Sequence, residues 1–129
     1  MKSLLLFIGI LCATSIGGRS MPHIATAADH PHREQAVVEF KGNVRLMGVF
    51  LNGQYMIVHD HDLMARGEDC TYVYKLEPGK PDKLVVSFHC IPVARQTTDH
   101  FTIRTSLFSR ELMIYDVREI QFAGSSEGH

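Results

Sequence analysis

The 129-residue chain lacks most of the signatures by which enzymes and nucleic-acid-binding proteins are read from sequence. It has no Gly-rich phosphate loop and no Cys-x-x-Cys redox pair, which removes nucleotide phosphate cradling and thioredoxin-like chemistry. An excess of one charge is also missing. Thirteen basic residues face 14 acidic ones for a net charge of −1, and no basic stripe is interleaved with aromatics, so nucleic acid is not an expected partner. No apolar run reaches the roughly 20 residues of a spanning helix. No window sustains a 3.6-residue period over three turns, so long helices are not expected. Catalysis is not expected either. Ser87 lies in an apolar strand, Ser106 near a turn, and His89 and Cys90 are strand neighbours that face apart.

What is present begins with an export signal. Lys2 precedes the apolar run LLLFIGILCA at residues 4–13, and Ala25-Thr26-Ala27 has the small-x-small form that signal peptidase cuts. Residues 1–27 therefore read as a signal peptide, with an earlier cut near Ser15 or Gly17 as the competing site. Bulky Leu11 before Cys12 argues against a lipoprotein. The expected destination is the periplasm or the extracellular space. Cys12 leaves with the signal, and Cys70 and Cys90 remain in an oxidising compartment, which points to one disulfide.

The rest reads as all-β. Alternating or short apolar runs occupy 36–41, 44–51, 55–60, 71–76, 84–91, 101–107 and 112–122, with a helical turn near 62–67. Short connections favour a small antiparallel meander, closed as a barrel or as a two-sheet sandwich. Residues 28–35 are expected to form a flexible arm, 36–122 one β domain, and 123–129 a flexible tail. Gly42-Asn43 reads as a tight turn. Asn52-Gly53 reads as a two-residue hairpin turn, placing Phe50 opposite Tyr55 and Arg45 opposite Asp60. Around the loop at 77–83, pairing of Leu76 with Leu84 sets Cys70 opposite Cys90. Their Cα atoms would then be about 4.5–5.5 Å apart, within disulfide reach. Such a bond is worth about 3 kcal/mol in the chain-entropy model.

Two stretches could hold a metal. In His59-Asp60-His61-Asp62, a strand points both imidazoles to one side, and Cys70, His89 and Cys90 are candidate further ligands for zinc or copper. The plain alternative is a polar strand end, with Asp60 or Asp62 capping the next turn of chain. A chain starting at Ala28 would carry Ala28-Asp29-His30, whose amine, amides and imidazole suit square-planar copper(II) or nickel(II). The alternative there is a remnant of the export signal. Asp116 and Arg118 look like an exposed ladder. The expected function is a non-enzymatic binding or interaction module for a protein, glycan or small ligand. The alternative is an exported copper- or zinc-binding protein.

Overall fold

A computed structural model describes residues 32–129. The signal segment 1–27 and the Ala28-Asp29-His30 chelate lie outside the described residues. The strands are β1 (Arg33–Leu46), β2 (Val49–Asp60), β3 (Thr71–Lys75), β4 (Lys83–Phe88), β5 (Val93–Ala94), β6 (Thr102–Ser109), β7 (Ile114–Gln121) and β8 (Glu127–Gly128). One short helix, α1 (His61–Ala65), follows β2. The all-β expectation holds, but the architecture is one mixed sheet curled into a half-barrel, and not an all-antiparallel meander or a two-sheet sandwich. Its order is β4-β3-β2-β1-β7-β8-β5, with β6 on the other edge of β7. The break in the meander is at β1. One edge of this long strand pairs antiparallel with β2, and the other takes β7 in parallel through Val44↔Tyr115 and Arg45↔Asp116. An open edge of unpaired amides and carbonyls would be costly beside a core, and the β6–β7 hairpin covers it.

The first hairpin turns at a place other than Asn52-Gly53. Leu46 pairs with Val49, so Met47-Gly48 is the two-residue turn. Both central residues have positive φ, 48° and 81°, as a type I′ turn requires. Asn52 and Gly53 instead lie inside β2. Phe40 faces Gly53 and Val44 faces Leu51, so residues 41–43 of β1 bulge out opposite Asn52 alone. Gly42 and Asn43 take positive φ within that bulge and make no turn between strands. A shift by two residues preserves the facing of side chains. Phe40 and Leu46 therefore both reach the core, where they join Leu51, Tyr55, Ile57, Val73, Ile120 and Phe122. Phe50, expected on the Tyr55 face, is exposed. Arg45 meets Asp116 and not Asp60, with Nε–Oδ1 and Nη2–Oδ2 distances of 2.7 and 3.1 Å.

Three further expectations change. Residues 33–35 belong to β1 and are not a loose arm. The last residues do not fray. Ser125, Gly128 and His129 are buried, β8 pairs with β5 and β7, and the Gln121 side-chain amide donates to Ser125 O at 2.9 Å. Polar Gly/Ser composition concealed a strand held by its backbone. In the β3–β4 hairpin, Lys75 faces Lys83 and Thr71 faces Phe88, with a bulge at Val73/Tyr74. Cys70 is therefore not opposite Cys90; its N–H donates to Phe88 O. By contrast Asp60 caps α1, accepting from the amides of Asp62 and Leu63 at 3.0 Å each.

The turn gives a direct check. Gly48→Val should lower stability by about 1–2 kcal/mol, because a β-branched residue resists positive φ. Met47→Asn should raise the urea midpoint, since Asn tolerates this region. An unchanged midpoint in both variants would contradict the turn. Deleting residues 125–129 should lower the midpoint clearly and not leave it unaltered.

Candidate metal centre

The site lies at the end of the half-barrel where β2 stops. Period two along β2 turns Leu51, Tyr55, Ile57 and His59 inward together. His59 stands across from Glu34 on β1 and from Thr71 on β3. Its Nδ1 lies 3.0 Å from Thr71 Oγ1. His61 opens α1 one step beyond the strand, and its Nε2 is 3.0 Å from Glu34 Oε2. The two rings meet edge to face with centroids 4.7 Å apart, but His61 stands in α1 and not on the strand, and each ring joins a different convergent group.

A third imidazole comes from the far end of the sequence. His129 extends the β7–β8 ladder through two reciprocal backbone bonds with Ile120, of 2.7 and 2.8 Å. Its ring stacks on His59 at a centroid distance of 3.9 Å. Cys90 completes the group, with Sγ 3.7 Å from His59 Nδ1 and 3.6 Å from His129 Nδ1. His59, Cys90 and His129 are all buried. Glu34, His61 and His129 form a second convergent group that shares His129. The Nε2 atoms of His59 and His129 are buried with no hydrogen-bond partner. An orphaned buried polar atom costs about 1–3 kcal/mol, and native folds carry few of them.

Burial sets the protonation states. Desolvation, together with the neighbouring His129 and His61, pushes the His59 imidazole down to about 3. Desolvation also lowers His129. Both rings are therefore neutral near pH 7, the form that binds metal. The Cys90 thiol is pushed up to about 12 by burial and by the adjacent Cys70. Without a cation this sulfur stays protonated, and a metal ion would deprotonate it.

An ion-pair cluster with a buried carboxylate sits beside the Ile120–His129 pairing. Glu119, next to Ile120 in β7, accepts from Arg95 at 2.8 and 2.6 Å and from Arg104 at 2.8 Å. The paired guanidinium of Arg95 holds its carboxyl below the usual range. Asp116 and Arg118 likewise have partners, Arg45 and Ser106. Gly128 passes against the Glu119 carboxylate so closely that a Cβ there would overlap Oε1.

Sequence reasoning found His59, His61 and Cys90 but missed His129 and Glu34. It dismissed the first as tail and the second as arm. The signal for Glu34 was its alternation with Ala36, Val38 and Phe40, which puts a carboxylate on an apolar face. His89 stands apart from the cluster, its Nδ1–H donating to Glu68 O at 2.8 Å. Cys70 adjoins Cys90 as a free thiol, Sγ to Sγ 3.2 Å. Residues 124–128 also spell Gly-x-Ser-x-Gly, a string that sequence reasoning passed over. It leads into β8 and not from a strand into a helix, so Ser126 has no nucleophile elbow.

These features define a curled β-domain with a buried His–Cys–His cluster. Comparison with known proteins finds no matching family model, no matching curated protein and no matching solved structure.

Two measurements test the site. In metal-free protein His59 is neutral when folded and takes up a proton when unfolded below about pH 6.5. Its contribution is intact above that pH and is lost as pH falls toward about 3. The slope should approach about 1.4 kcal/mol per pH unit for one group. It should flatten in His59→Gln. Gly128→Ala should lower the thermal midpoint by forcing Glu119 or β8 to move. An unshifted midpoint would contradict that contact.

Proposed function

We propose that this chain is an exported transition-metal-binding β-domain that holds zinc or copper through His59, Cys90 and His129, with His61 and Glu34 flanking. The carrying observation is a spacing. Zinc sits about 2.0–2.1 Å from imidazole nitrogen and about 2.3 Å from thiolate, so tetrahedral ligands N and S lie about 3.5 Å apart. The sulfur-to-nitrogen distances of 3.6 and 3.7 Å match that separation before any ion is added. Neutral imidazoles and a buried thiol are the donor set that zinc and copper prefer. Three protein donors leave a tetrahedral ion one further position. Export is supported by the N-terminal apolar run and its small-x-small site.

Zinc titration of reduced, metal-free protein tests this. One zinc per chain should bind, and free zinc at a hundred times Kd should stabilise by about 2.7 kcal/mol. His129→Gln and Cys90→Ala should abolish that gain, while His89→Ala should keep it. Equal melting temperatures with zinc and with chelator would overturn the reading.

A second reading, an interaction module for a protein, glycan or small apolar ligand, draws on a different region. Phe50, Phe108, Leu112 and Met113 are exposed, and the Arg45 guanidinium lies 3.4 Å over the Phe108 ring. Loss of pull-down or ligand retention in Phe50→Ser and Phe108→Ser variants would support it.

A further inference from the structure

We propose that Cys90 is a thiol–disulfide exchange site coupled to metal release. A small disulfide reaching it from the adjoining cleft closes the Cys70–Cys90 bond and frees the ion. The inference rests on the metal reading above.

Three observations meet at this sulfur. First, Cys90 Sγ is 3.2 Å from Cys70 Sγ and 3.6–3.7 Å from the two imidazole nitrogens, so one atom is shared between two competing fates. A sulfur in a disulfide has no thiolate to give an ion. Second, the two thiols differ in access. A cleft of about 300 Å³ is bordered by Met47, Phe88, Cys90, Ile91 and His129, whereas Cys70 is wholly buried behind it. An incoming reagent meets Cys90 first. Third, Cys90 lies beyond the end of β4, outside the ladder, so its backbone is not locked by strand pairing. The sulfur can approach Cys70 without breaking a β3–β4 bond.

The chemistry balances with a small disulfide as oxidant. The metal-bound Cys90 thiolate attacks one reagent sulfur, the reagent S–S bond breaks, and one reagent thiolate departs as the ion loses its ligand. The Cys70 sulfur then attacks Cys90 Sγ in the mixed disulfide. The second reagent thiol leaves and carries the Cys70 proton. The protein pair loses two electrons, the reagent gains two, and the ion is released. Of the His59–Cys90–His129 set two donors then remain, fewer than the three or four that hold zinc in proteins, and release further requires that the ion does not pass to the neighbouring Glu34–His61–His129 group.

The test uses full-length protein carrying Cys12→Ala, so that only this pair can react. It is reduced, loaded with zinc and titrated with oxidised glutathione. Free zinc is followed with a metallochromic dye and the protein by intact mass. Zinc should appear one for one with the loss of two thiols, and no glutathione should stay on the protein. In Cys70→Ser the first step should run and the second should not, leaving a glutathione adduct on Cys90. Zinc retained by protein whose Cys70–Cys90 bond has closed overturns the coupling alone. Absence of the adduct in Cys70→Ser overturns Cys90 as the point of attack. Reduced protein that binds no zinc overturns the metal reading and the coupling together, so the two failures are distinguishable.

Discussion

The reciprocal backbone bonds between Ile120 and His129 are the constraint on which the buried cluster depends. They fix the last strand against β7 and bring an imidazole from the end of the chain over His59. Without them the inward end of β2 would present one buried histidine against Thr71 and the Cys90 thiol, without a second stacked ring. With them, two stacked rings and a thiol share one buried space. The hydrogen bonds are ordinary ladder contacts. Their importance comes from what they carry.

Around this contact the molecule solves an electrostatic problem by pairing. Glu119 is nearly buried and would be costly as a lone carboxylate, yet two guanidiniums reach it and form charge-assisted hydrogen bonds. Arg45 and Asp116 do the same where β1 and β7 run in parallel. The histidine cluster is the exception. Its polar atoms are withdrawn from water, and two of them are given no partner by the chain itself. In a sheet this careful with its charges, the cluster is where polar atoms go without a partner from the described residues.

The sequence carried the secondary structure further than the topology. Period-two alternation identified the strands and the shared face of Tyr55, Ile57 and His59, because side-chain direction is local, but not which face turns inward. Register was harder. Asn52-Gly53 is a strong hairpin signal by composition, but Met47-Gly48 took the turn, and a methionine at positive φ leaves no trace in a propensity argument. The bulge at 41–43 then hid the correct pairing, since a shift of two residues keeps Phe40 and Leu46 on one face while changing their partners, and only the exposed Phe50 betrays the moved turn. The site was half legible for a related reason. His59 and His61 carry motif-like spacing, whereas Cys90, Glu34 and His129 become their neighbours only through strand pairing. A polar, Gly- and Ser-rich ending gives no apolar pattern from which that pairing can be read.

The parallel contact between β1 and β7 also decides when the site can exist. It joins Arg45 to Asp116, 71 residues apart in sequence. Contacts of that separation carry a loop-closure cost before they return any stability. His59 and His61 meet early on their own strand end, and Cys90 arrives with the β3–β4 hairpin. His129 comes only after β7 has docked. No single hairpin holds His59, Cys90 and His129 together, and the full set appears only on the finished fold. The complete cluster is therefore a reporter of finished topology and belongs to no single hairpin.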